Sequence, residues 1–259
     1  MNKLKSFTHS KDPSGAKTLA AIIALLVAVS IYLWPKLPAI DNPSYFHFVD
    51  VRPLFNIPNC IDVVSNLPFL VFGLLGLKLI FKNQNKTTFL KNTGIVLSLA
   101  IILTAFGSAY FHLTPNPDTL TWDRLPMTLA FSAILAMVIG DRTTNRFGMI
   151  SLLVLIPFGL FSVIAYQYQI ITLRPYLLVQ FGSIAFIVLL MITRLDKQIP
   201  NSILWSAVGL YAVAKVLELK DALIFDITGI ISGHSLKHIV AALAIYVILS
   251  IYKPQAAQK

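Results

Sequence analysis

Polar material is scarce in this chain. Only 12% of its 259 residues are charged and 56% are hydrophobic, where a soluble domain carries about 25% charged residues. Mean hydropathy is +0.75, and no polar stretch is long enough to build a soluble domain, so the composition specifies a membrane protein. Cys60 is the only cysteine, which excludes an internal disulfide and a thiolate-rich metal site. Any metal bound here must take nitrogen and oxygen ligands. The formal net charge of +10 does not indicate nucleic acid, because the basic residues form no stripe interleaved with aromatics. There is no internal repeat and no low-complexity tract.

Hydropathy predicts eight spans, at about 18–35, 63–82, 92–112, 124–140, 147–166, 174–194, 202–219 and 235–252, each near the roughly 20 residues a hydrocarbon crossing needs. The first could pass for a signal peptide. Its run is long, and no small-residue cleavage site follows Trp34-Pro35, so an uncleaved anchor is expected. Basic residues fall between the apolar runs, where they set topology. One side receives Lys3, Lys5, Lys11, Lys17, Lys82, Lys86, Lys91, Arg142, Arg146, Arg194, Lys197, Lys253 and Lys259. The other has only Lys36, Arg52, Arg124, Arg174 and Lys220. This bias places both termini in the cytoplasm, in keeping with an even number of spans.

Against this oily background five residues stand out. Ser108 and His112 close the third segment, Asp123 opens the fourth, and His234 and His238 open the last. Each i,i+4 pair shares one helix face. In the topology above, His112, Asp123, His234 and His238 reach one membrane depth on the non-cytoplasmic side, although the charge count takes no account of histidine. Three imidazoles and a carboxylate are costly inside a membrane without a partner. Three nitrogen ligands from two helices suit an open zinc site, with water in the fourth position. Such a site makes a hydroxide nucleophile near neutral pH. Asp123 would then accept and pass on a proton, or would simply cap the fourth helix. Ser108 would donate to an oxyanion, or would back-bond to the carbonyl of residue 104.

Haem is the competing metal reading, but three clustered histidines plus an acid fit zinc better. A retinal site needs a lysine deep in the last span, and Lys237 lies at its outer end. A transporter or channel would carry polar residues through the middle of the bundle, whereas here they gather at one end. Glu218 and Asp221 are candidate partners for imidazole N–H groups, with an ordinary interfacial role as the alternative. Arg174, opening the sixth segment, would contact a lipid headgroup or snorkel.

The stretch Gly107-Ser108-Ala109-Tyr110-Phe111-His112, then Asp123-Arg124-Leu125-Pro126-Met127, then His234 and His238, resembles the alkaline ceramidase family, with G-S-x-x-F-H, D-x-L-P-M and H-x-x-x-H in that order. The resemblance runs from about Asp50 to the last span. It extends to a wider superfamily with adiponectin receptors and haemolysin-III-like proteins, and it implies an all-α seven-helix transmembrane bundle holding a three-histidine zinc site. Here one extra N-terminal transmembrane helix is expected. The chain then divides into 1–36 (basic tail and extra helix), 37–62 (outer loop), 63–253 (ceramidase-like bundle) and 254–259 (cytoplasmic tail).

By resemblance, His112, His234 and His238 would bind zinc, Asp123 would accept the proton and Ser108 would stabilise the oxyanion. The implied reaction is hydrolysis of the N-acyl amide of a ceramide-like lipid, and no protein partner is inferred. A receptor or membrane-homeostasis protein with a structural zinc is the alternative. The outer loop corresponds to the family's calcium-binding region, which makes Asp50, Asn56, Asn59 and Asp62 candidate Ca2+ ligands. Turn-forming roles around Pro53 and Pro58 are the plainer reading of these residues. Ser65-Asn66 keeps the family's Ser-Asn pair. Two departures bear on lipid preference. Ser235, Leu236 and Lys237 replace aromatics within H-x-x-x-H, and Arg124 stands where the family has an acid.

Overall fold

The computed structural model describes residues 13–36, 46–83, 85–192 and 198–254. The predicted basic tail with Lys3, Lys5 and Lys11 lies outside these, as do Arg194, Lys197, Lys259, part of the 37–62 loop and all but Pro254 of the 254–259 tail.

Seven helices are long and apolar enough to cross a membrane: Cys60–Lys82, Thr88–Leu113, Pro117–Arg142, Asn145–Gln167, Arg174–Ile192, Asn201–Leu219 and Gly233–Tyr252. In finer detail, α1 (Pro13–Leu33) precedes them. The first span comprises α2 (Cys60–Val64) and α3 (Leu67–Lys82), then follow α4 (Thr88–Leu113), α5 (Pro117–Arg142) and α6 (Asn145–Gln167). The fifth span is α7 (Arg174–Leu177), a π turn at Leu178–Gly182 and α8 (Ser183–Ile192). After α9 (Asn201–Leu219) a short α10 (Asp221–Thr228) leads into α11 (Gly233–Leu249).

Side-chain caps set several boundaries. Thr87 accepts from the Leu90 amide, Thr144 from Phe147 and Ser232 from Ser235. Asn116 and Thr119 form a reciprocal capping box at α5, with Pro117 as its first residue. This helix therefore starts seven residues before the hydropathic stretch at 124. Its first two turns carry Asp118, Thr119, Thr121 and Asp123, which hide it from a hydropathy scan. Asp123 is not the cap that one sequence reading allowed; it lies in the second turn. The extra helix α1 is present and rests on α8. Its apolar part, Ala20–Lys36, is shorter than the seven spans.

Helix α5 is the axis of the bundle: 72% of its apolar stretch is buried, against 17% for α9. Neighbours in sequence pack side by side from α3 to α6, α11 packs on α3 and α9, and α8 packs on α5. Helices α8 and α9 touch only thinly. Large apolar side chains such as Leu103, Phe106, Leu153 and Val154 face outward, as expected of a surface solvated by lipid tails.

Two close backbone approaches fix the end of the bundle that carries the histidines. A Cβ on Gly107 would lie 2.1 Å from the carbonyl oxygen of Trp122, so only glycine lets α4 and α5 meet there. A Cβ on Gly233 would lie 2.2 Å from the Leu217 carbonyl, where α11 begins against α9. Gly209 has open space around it. Gly107→Ala should therefore destabilise the protein by about 1–3 kcal/mol, read as a lower thermal midpoint in detergent. Gly209→Ala should leave the midpoint unchanged or slightly raised.

Candidate metal centre

His112 is the penultimate residue of α4, and His234 and His238 occupy the first two turns of α11. Their rings form a nearly equilateral triangle, with centroids 4.8 Å (His112 to His234), 5.0 Å (His112 to His238) and 4.9 Å (His234 to His238) apart. All three residues are buried. One nitrogen from each falls within 4.8 Å of the others, the only such His/Cys/Asp/Glu group of three or more among the described residues. The Nε2 atoms of His112 and His234 are 3.3 Å apart. Two nitrogens held tetrahedrally at 2.0–2.1 Å from a zinc ion are separated by about 3.3 Å. The donor set therefore fits a metal ion and is compatible with zinc. His112 Nδ1, buried and without a hydrogen-bond partner, adds an unmet polar need at the same place.

Around the triangle, Phe48 packs its ring 4.6 Å from both His112 and His234, centroid to centroid. The backbone amide of His234 donates to Asp221 Oδ1 at 2.8 Å, and Ser65 Oγ lies 2.8 Å from His238 Nδ1. The Ser65 contact was missed in the sequence reading, although the Ser65-Asn66 pair was its one available signal. Asp221 touches the backbone of His234 and not a ring. Glu218 is bracketed by Lys215 and Lys237, the latter at 2.5 Å, and contacts no imidazole among the described residues. Arg174 opens α7 and does not line the cavity described next.

A cavity of about 790 Å³ runs from the histidines into the bundle. Ser108, Asp123, Arg124, Lys237 and Glu218 line its polar end, and Ile134, Ile187, Leu204 and Ile248 its apolar depth. Asp123 is buried and pairs with Arg124 at 3.1 Å. The Arg124 guanidinium also reaches Met127 Sδ and sits over the Tyr176 ring. Ser108 is buried, and no back-bond to Thr104 is among the hydrogen bonds of the described residues. Thr104, one turn earlier, does back-bond to Ala100.

The four candidate calcium ligands are spread over different tasks. Both oxygens of Asp50 accept from Arg52, at 2.7 and 2.8 Å, and Arg52 also donates to the carbonyls of Gly229 and Ile230. Asn56 and Asn59 have positive φ (63° and 48°), which Asn tolerates better than most residues and which suits turns. Asn59 Nδ2 donates to the carbonyl of His112. Asp62 accepts from Ser232 and Ser235.

The Arg52 side-chain hydrogen bond holds the Asp50 carboxyl below its ordinary 3.8. Because its value is depressed in the folded chain, the pair's support is complete above 3.8 and fades as pH falls through the lowered value. Amides of the 229–231 turn should thus stay protected from hydrogen exchange at about pH 5 and lose protection only in stronger acid. Arg52→Ala should lose that protection at both.

Comparison with curated proteins finds no match. A family model described as Ceramidase matches residues 56–258, which takes in all seven spans together with Gly107, Gly233, the three histidines, Ser108 and Asp123. With well over half of its length matched, the chain belongs to the ceramidase family.

Proposed function

We propose that the protein is a zinc-dependent intramembrane amidase that cleaves the N-acyl amide of ceramide-like lipids, giving a long-chain base and a fatty acid. The observation that carries this reading is the placement of the histidine triangle at the head of a lipid-sized cavity whose wall holds Ser108 and Asp123. Zinc, when bound by the three imidazoles, would supply Lewis acidity towards water and towards an amide carbonyl. His112, His234 and His238 hold that ion as neutral donors.

Asp123 takes the proton released as water attacks the carbonyl carbon, and returns it to the amine nitrogen as the C–N bond breaks. The neighbouring Arg124 fixes the orientation of this carboxylate. Ser108 Oγ donates to the oxygen on which negative charge develops. The apolar depth of the cavity takes an acyl chain, and the thin seam between α8 and α9 gives it a sideways path from the bilayer. The positive-inside count supports a histidine end on the non-cytoplasmic side, open to water.

Purified protein incubated with ceramides should release fatty acid. Chelation should abolish the release, and added zinc should restore it. His234→Ala should lose about a thousandfold or more in rate together with its metal; full activity in a zinc-free His234→Ala preparation refutes the mechanism. Asp123→Asn should lower kcat by about 10²–10⁴ and Ser108→Ala by about 10²–10³. Both should leave zinc content near one ion per chain.

A further inference from the structure

The segment from Asn59 to Ser65 touches both helices that carry the trio. Asn59 Nδ2 donates to the carbonyl of His112 at 2.7 Å. Asp62 is fully buried and accepts through Oδ1 from the hydroxyls of Ser232 and Ser235, the residues flanking Gly233 and His234. Ser65 reaches His238, 173 positions later in the chain, with its Oγ 2.8 Å from Nδ1.

The direction of this last bond follows from proton bookkeeping. A serine hydroxyl has one proton to give. Ser65 donates it to the backbone carbonyl of Asp62, 2.8 Å away. The oxygen then offers His238 only lone pairs, so Nδ1 must carry the ring's N–H. A neutral imidazole protonated at Nδ1 has its free lone pair at Nε2.

We propose that Ser65 is a positioning residue for the histidine centre. Its hydroxyl holds His238 in the Nδ1–H tautomer and fixes the ring's rotation, so that Nε2 faces the point shared with His112 and His234. Without the hydroxyl the ring is free to exchange tautomers and turn, and one donor in three is no longer held ready. Outer partners of metal-binding histidines typically change metal affinity about 10–100-fold. The consequence for hydrolysis rests on the zinc reading above, whereas the tautomer does not.

Two measurements on the full chain separate these. Nitrogen-15 NMR of the metal-free, histidine-labelled protein in detergent should show His238 protonated at Nδ1; protonation at Nε2 overturns the proposal whether or not zinc binds. Chelator competition with zinc should then give an affinity about 10–100-fold weaker for Ser65→Ala, at an unchanged helical content by circular dichroism. Ser65→Thr and Ser65→Val match each other in shape and differ only in the hydroxyl, which covers the case of an alanine variant that does not fold. The threonine variant should bind zinc close to the wild type and the valine variant as weakly as alanine. Equal affinities for this pair overturn the proposal. A wild type that binds no zinc removes the proposed function and leaves the NMR result to decide the role of Ser65.

Discussion

A neutral imidazole always presents one N–H and one lone pair, and in the interior of a membrane bundle neither can be left to bulk water. Three such rings packed within about 5 Å of one another therefore constrain everything nearby. Their nitrogens lie close enough to share one cation, and their outward edges need acceptors. The surrounding structure reads as an answer to that demand. Ser65, itself bonded to the carbonyl of Asp62, serves one ring, Phe48 packs on two of them, and Asp221 ties the start of α11 through the backbone of His234. Here the 50–66 segment, α10 and α11 are bound together.

Charge in the cavity is handled by pairing. Asp123 pairs with Arg124, and Glu218 with Lys215 and Lys237, while Asp221 accepts instead from the backbone amide of His234. Ion pairs of this kind add little net stability, since desolvation offsets much of the attraction. What they do is fix direction. Arg124 spans from Asp123 to Met127 and Tyr176, so the carboxylate on α5 is tied to the wall formed by α7. Arg124 and Lys237, two of the residues expected from the resemblance to depart from the family pattern, are thus both engaged with acids lining the same cavity.

Much of this was legible in the sequence, for identifiable reasons. Apolar runs near 20 residues predicted eight spans, seven of which are helices long and apolar enough to cross, because the hydrocarbon sets their length. The two i,i+4 pairs gave shared faces because helix geometry does. The first turns of α5 escaped because Asp118, Thr119 and Thr121 lower its hydropathy while Asn116 caps it. Helix α10 escaped because its eight residues are too few to cross a bilayer and so drop out of a search for spans. Hardest to foresee were the bonds from Arg52 to Gly229 and Ile230, and from Ser65 to His238, which join residues more than 170 positions apart. Nothing in local pattern encodes such pairs; only the folded bundle brings them together.

The tight approach at Gly107 explains why the sequence signatures contain residues with no chemistry of their own. Pro126 lacks the amide hydrogen that would otherwise bond to the carbonyl of Trp122 within α5. That same carbonyl is the group facing Gly107, where a Cα–H contact can meet it. The glycine of one motif and the proline of the next are thus two halves of a single interhelical joint. Because Ser108 follows one half directly and Asp123 follows the carbonyl it receives, the joint sets the register in which hydroxyl and carboxylate share one wall.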